Sequence, residues 1–378
     1  MSEQRPDQPR SLAYIGALDG LRAVAILAVM GLHATWTLWA GGEPAEFLTA
    51  ISQKQPRSGF EVGWAGVDLF FCLSGFLITA ILLNRPADRG LGGFYRRRAL
   101  RIVPLYAATL ALAFWLGPSL PGALAHHPEG VEFWRFATLT HNFTQQPFAS
   151  WLLTPSWSLG VEMHFYLLWP VLVLGIRRRR LGACFLAIVV LLPIAKAIAV
   201  TALPVEGLIY HVTPFRLDDF AAGALVAWAL VHPDLVAPQT LLRACRWCSA
   251  AAPLGLLLLI VIDPVAPLLA VHQPLLAVAA FSLLAVGFGG WVGWAVLGLP
   301  PGLQRVLSHP IARWIGVRSY GLYLLHMLAF MGVSTLLYAR GIDSPVLQLS
   351  LMFAAAAVLA ALSWRLLERP FLRLKGKP

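Results

Sequence analysis

Ten stretches of this chain are apolar over lengths near the ~20 residues that a helix needs to cross the hydrocarbon core of a bilayer. They run approximately over 18–39, 64–84, 102–117, 156–176, 181–201, 215–231, 249–262, 268–288, 319–338 and 346–366. In lipid every backbone N–H and C=O must be satisfied within its own segment or a closed barrel, and runs of this length do that as helices. The expected fold class is all-α: a polytopic integral membrane protein of about ten transmembrane helices. The third and seventh runs are short and are expected to extend or tilt. The stretch 289–299 (GGWVGWAVLGL) either lengthens the eighth run or lies at the interface. Composition agrees. The chain is 58% hydrophobic and only 12% charged, whereas a soluble domain is about one-quarter charged.

The net charge of +11 does not point to nucleic acid, because the basic residues sit in short loops between apolar runs. With the N-terminus in the cytoplasm, 23 of the 29 Lys and Arg residues fall on the inner side. The outer loops receive Lys54, Arg57, Arg135 and Arg340. Both termini are therefore expected to be cytoplasmic, in a multi-pass protein of the cell (inner) membrane. The expected divisions are a cytoplasmic tail over 1–17, a transmembrane domain over 18–367 and a second cytoplasmic tail over 368–378. The first thirteen residues lack the apolar core of a signal peptide, so the first span is expected to stay as an anchor. Cys72, Cys184, Cys245 and Cys248 give no disulfide framework, and CRWC at 245–248 lacks two further ligands at zinc spacing. No metal is expected. The longest outer segment, 118–155, reads as a loop followed by a short interfacial helix, with His126, His127 and His141 read as solvated.

Ionisable side chains inside apolar spans are costly and usually have a use. The first span, LDGLRAVAILAVMGLHATW, carries Asp19 and Arg22 at one end and His33 inside. At 100° per residue, Arg22 and His33 share a face and stand about 16 Å apart along the axis. His33 then lies near mid-membrane. FYRRRALRIVPLY at 94–106 places Arg98 and Arg101 three residues apart on one helix face. Such a pair anchors topology or holds a phosphate or carboxylate. Asp68 opens the second span, either at the interface or facing a cavity. In TPSWSLGVEMHFYLLWP, Ser158 and Glu162 share a face, and Glu162 needs a partner: an arginine, or a catalytic imidazole that it orients. Arg216, Asp218 and Asp219 suggest a local salt bridge. Tyr320, Tyr323 and His326 lie on the ninth span as a packed stripe or part of a substrate channel. Asp19, Asp68, Ser158, Tyr320, Tyr323 and His326 are the channel candidates.

In order as well as in motif, these segments resemble the acyltransferase-3 family of integral-membrane O-acyltransferases. The resemblance rests on ALDGLRAVAILAVMGLH with its Arg-ten-residues-His spacing, then GVDLFFCLSGFLIT, FYRRRALRIVPLY, FATLTHNF, PSWSLGVEMHFYLLWP, SYGLYLLHM and ERPFLRL. It covers nearly the whole chain. It implies transfer of an acyl group, most commonly acetyl, from cytoplasmic acyl-CoA to a hydroxyl of a sugar, glycolipid, surface polysaccharide or glycosylated metabolite. It implies His33 as the essential histidine, Arg22, Arg98 and Arg101 as donor-binding residues, and Glu162 as the fourth-span carboxylate. The implied partners are acyl-CoA, a carbohydrate or glycolipid acceptor and the bilayer, with no nucleic acid; a homo-oligomer stays open. Two positions depart from the family pattern. Met163 and His164 stand where an acidic or glutamine pair is common, and Gly321 stands where serine is common. Some members carry a C-terminal hydrolase-like domain. Here the chain ends about a dozen residues after the last span, so a second acyl step is expected to need another protein. The competing readings from the residues are a transporter or flippase, which also uses mid-membrane charges, and a non-catalytic scaffold.

Overall fold

A computed structural model describes residues 15–40, 61–85, 90–117, 132–144, 151–202, 208–262 and 274–374. Among them there is no strand. Ten helices form the body: α1 Gly16–Trp39, α2 Ala65–Leu83, α3 Gly92–Ala111, α4 Ser156–Gly175, α5 Arg178–Ala202, α6 Leu217–Val231, α7 Ala251–Ile262, α8 Pro274–Leu297, α9 Ser319–Tyr338 and α10 Pro345–Ser363. Nine helices among the described residues are long and apolar enough to cross a membrane. The protein is an all-α, multi-pass membrane protein. The tenth crossing, α6, is only 15 residues long and is enclosed along most of its length. A short helix that does not face lipid has no hydrocarbon thickness to match.

The uncertain spans resolve in physical terms. The third is longer than its apolar run. α3 begins at Gly92, before the arginine run, so those arginines are helical. The seventh, α7, follows directly on an amphipathic helix, Pro238–Cys248. The 289–299 stretch lengthens the eighth span, since α8 runs unbroken to Leu297. A short helix is present at Phe133–Ala137, within the segment expected to hold one. His126 and His127 lie outside the described residues. His141 is not solvated. It is 1% exposed, its ring stacks on Phe136 at 4.2 Å, and its Nε2 lies 2.9 Å from Ser156 Oγ. Burial holds it well below the usual histidine range, at about 4, so it is neutral at pH 7.

α2 is the central helix, with Ala65, Phe71, Cys72, Phe76 and Ile78 all buried. Gly75 and Gly223 let α2 and α6 touch backbone to backbone. A Cβ on either would collide with the carbonyl of Phe220 or of Cys72. Small residues at such crossings are how helices associate where lipid is as apolar as leucine. α5 is the opposite case. Leu186, Val190, Leu191, Ile194 and Ile198 are all exposed, forming the face that lipid covers.

Candidate active site

The first span is helical from Gly16 to Trp39, so Arg22 and His33 do share a face. Around them the helices leave two cavities. The first is partly open, with a volume of about 100 Å³, and is lined by Arg22 of α1, Arg98 and Arg101 of α3, Ser158 and Glu162 of α4, and Tyr320 and Tyr323 of α9. Three guanidinium groups from two helices thus converge on one space. The sequence spacing paired Arg98 with Arg101; only the packing of both α1 and α3 on α9 brings Arg22 to them.

These arginines are incompletely satisfied by protein. Arg22 donates to Asp19 at 2.9 Å. Arg98 lies over the rings of Tyr166 at 5.5 Å and Phe94 at 5.7 Å. Its buried Nε has no hydrogen-bond partner among the described residues. Glu162 lines the same cavity but bonds no arginine. It accepts from Ser74 Oγ at 2.6 Å and from the Tyr166 hydroxyl. This set offers an anion more positive donors than the protein uses itself, which is the signature of a phosphate or carboxylate site.

His33 opens on a second, smaller cavity of about 20 Å³, further along α1 from Arg22. Val67 and Tyr323 line both cavities and form the wall between them. That wall is tied to α4, because the Tyr323 hydroxyl lies 2.6 Å from Ser158 Oγ, which itself reaches Pro155 O at 3.2 Å. Tyr320 is held by α3, donating to Ile102 O at 2.6 Å.

His33 is 7% exposed, and its Nδ1 lies 2.8 Å from His326 Nε2. The tautomers follow from bookkeeping. His326 Nδ1 is 3.0 Å from Leu322 O, and a carbonyl only accepts, so His326 carries its proton on Nδ1. His326 Nε2 is then the acceptor, and His33 must donate from Nδ1. The two rings are within 22° of coplanar, as an in-plane N–H···N bond requires. The basic nitrogen of His33 is therefore Nε2. Its orienting partner is a second imidazole, where the sequence suggested Glu162.

Asp68 lines neither cavity. It is wholly buried and accepts from Arg216 at 2.5 Å. Arg216 also pairs with Asp219 at 3.0 Å, while Lys196 donates to Asp218 at 2.6 Å. This is the salt bridge expected near 216–219, enlarged by α2 and α5. The two departures have local explanations. His164 bonds Thr213 Oγ1 at 2.8 Å, away from both cavities. A Cβ on Gly321 would press on Ser363 Oγ and Glu368 Oε1, so side chains at and just beyond the end of α10 occupy that space. The residues that sequence reasoning missed are Trp36, Trp64, Trp157 and Tyr210, all lining the His33 cavity. Tryptophan and tyrosine read as interface anchors in a membrane chain, so nothing marked them.

A family model described as an acyltransferase domain matches residues 15–365, and the chain belongs to that family. Several curated proteins are similar. The peptidoglycan O-acetyltransferase OatA of Listeria monocytogenes is 29% identical over 95% of this chain and 56% of its own length. YrhL of Bacillus subtilis, named provisionally for peptidoglycan O-acetylation, is 28% identical over 96% of this chain and 55% of its own. A Staphylococcus aureus protein named provisionally as an O-acetyltransferase is 26% identical over 96% and 58%. The chain thus spans a little over half the length of the curated relatives it matches. No solved structure matches it.

Proposed function

We propose that this protein is a membrane O-acyltransferase, moving an acyl group, foremost acetyl, from acyl-CoA to a hydroxyl of a carbohydrate or glycolipid. The observation that carries the reading is the pairing of two cavities across one wall. One presents three guanidinium groups, and the other presents the basic nitrogen of an oriented histidine. Coenzyme A is a polyanion with its thioester on a long thin arm. Arg22, Arg98 and Arg101 line this cavity together and suit its phosphates. By the positive-inside rule this cavity faces the cytoplasm of the cell membrane.

In this reading His33 Nε2 takes the proton of the acceptor hydroxyl as its oxygen attacks the thioester carbonyl. The C–S bond then breaks, the thiolate of coenzyme A leaves, and the imidazolium returns the proton to it. The net products are an ester and free coenzyme A. His326 fixes the tautomer that leaves Nε2 basic, and its Nε2 holds the remaining N–H of the imidazolium. Glu162 shapes the donor cavity through Ser74 and Tyr166.

The test uses cells expressing the wild type, His33→Ala and Arg98→Ala at matched membrane levels. Envelope glycans, glycolipids and secreted metabolites are profiled by mass spectrometry for one ester-linked acyl increment. The increment is expected with wild type and should fall by about 10²–10⁴ in His33→Ala, the range of general-base catalysis. Wild-type transfer by His33→Ala overturns the mechanism. Substrate flux without any acyl increment, surviving loss of His33, moves the reading to a transporter.

A further inference from the structure

The C-terminal motif ERPFLRL has no part in the site described above, yet the fold sets its carboxylate beside that site. α10 is regular to Ser363 and then widens into a π-turn over Trp364–Glu368. Pro370 gives the reason: it has no N–H to donate back to Leu366 O, and its ring crowds that carbonyl. Residues five apart in a regular helix point about 140° away from each other. A π-turn closes i to i+5 and brings them to one face. Ser363 Oγ thus donates to Glu368 Oε1 at 2.9 Å. Facing them, α9 carries Gly321, where a Cβ would stand 2.9 Å from Glu368 Oε1. The preceding residue, Tyr320, lines the arginine cavity.

Glu368 is 4% exposed. A buried carboxylate needs positive charge, but among the described residues no Lys or Arg lies within ion-pair distance of it. Two cations act on it from further away, Arg101 and Arg318. Arg318 is occupied. It donates to Trp314 O at 3.2 Å and lies over the rings of Trp314 at 4.4 Å and Trp364 at 5.6 Å. Arg101 lines the cavity, and it too has no carboxylate within ion-pair distance among the described residues. The π-turn and the short helix after it pack on α3, which carries Arg101. Arg96 Nη2 ties them together by donating to Leu374 O at 3.0 Å. A carboxylate near an arginine but out of contact takes none of its N–H groups from a ligand. It still lowers the positive field which that ligand meets, because charge acts over several ångströms where little water screens it.

We propose that Glu368 sets the affinity of the arginine cavity: it is a counter-charge to Arg101 that weakens the hold on a polyphosphate ligand so that the ligand can leave. Coenzyme A as that ligand rests on the acyltransferase reading. Acyl-CoA and free coenzyme A carry the same phosphates, so the arginines bind substrate and product alike. Such uniform binding adds nothing to the rate once the site is filled, and too much of it makes product release the slow step. Glu368 touches no reacting atom and acts through the field around Arg101.

The experiment measures binding to the purified full chain in lipid nanodiscs, for wild type, Glu368→Gln and Glu368→Asp. The probes are coenzyme A, inorganic pyrophosphate and pantetheine, which is the uncharged arm alone. Glu368→Gln keeps the size and the acceptor for Ser363 and removes the charge; Glu368→Asp keeps the charge. In Glu368→Gln the dissociation constant for coenzyme A should fall about tenfold, the scale of one nearby charge at an effective dielectric constant of about 20. Pantetheine binding should not change, and Glu368→Asp should stay near wild type. Tighter binding is an outcome that a merely structural role does not produce. Unchanged or weaker coenzyme A binding by Glu368→Gln, an equal gain for pantetheine, or loss of folded protein overturns the proposal. Tighter pyrophosphate binding by Glu368→Gln, with no coenzyme A binding by wild type, keeps Glu368 in this role and sinks the acyl-CoA reading.

Discussion

Two groups of cations sit inside this protein, and they are built to opposite rules. Arg216 and Lys196 are 0% and 1% exposed, and each meets aspartate at hydrogen-bond distance. Arg216 is further boxed by the rings of Phe71, Tyr210 and Phe281, at 5.4, 5.9 and 5.2 Å. Arg22, Arg98 and Arg101 line a cavity of about 100 Å³ with one carboxylate, Asp19, bonded to one of them. A charge out of water must be paired, and here two cations meet three aspartates, so each cation is paired within the protein and ties helices together. A set of positive groups left short of partners on a cavity is stabilised by a ligand that brings the missing charge. What tells the two groups apart is the number of carboxylates within ion-pair distance.

The largest expected effect tests the closed cluster. Arg216→Ala leaves Asp68 and Asp219 buried without their cation, at a cost of about 3–5 kcal/mol. The expected result is loss of folded protein, read as yield and melting temperature after solubilisation. An unchanged melting temperature would remove the distinction between the clusters. Arg98→Ala should do the reverse. Its melting temperature should hold, while the dissociation constant for coenzyme A rises about 10- to 100-fold, as hydrogen bonds to a charged group are worth about 1.5–3 kcal/mol. Rising salt should weaken wild-type binding and affect the variant less. Equal destabilisation in Arg98→Ala and Arg216→Ala would make both clusters structural.

His326→Ala is the finer test, because it acts through His33. Transfer should fall about tenfold, the equivalent of one hydrogen bond, in kcat and not in the KM for acyl-CoA. His326→Gln keeps an acceptor oxygen for His33 Nδ1–H and should restore part of the rate. Failure of both variants alike, with normal melting, would show that His326 does something other than accept that bond.

Much of this architecture was legible in the chain. Apolar run length gave the helices, because lipid leaves the backbone no other way to satisfy itself. Helical periodicity put Arg22 with His33, Arg98 with Arg101, and Tyr320 with Tyr323. The same reasoning failed at His141, where loop sequence suggested solvent and the fold supplied Phe136 and Ser156. It assigned Glu162 a histidine or an arginine, while the fold gave it Ser74 and Tyr166, which lie on a neighbouring helix and one turn on.

The sequence by itself determined which segments enter the membrane, the family, and which residues on any one helix share a face. These depend on hydropathy and on a 3.6-residue repeat, both local properties. Only the tertiary structure decided that His33 and His326, 293 residues apart, share a proton bond. It alone separated an arginine-lined cavity from an aromatic one across Tyr323 and Val67. It alone enclosed Arg216 among aspartates from two helices while giving Arg98 aromatic rings and, among the described residues, no carboxylate at ion-pair distance. Pairing and cavity are relations between distant helices, set by how closely their small residues let them approach, and no one helix carries that information.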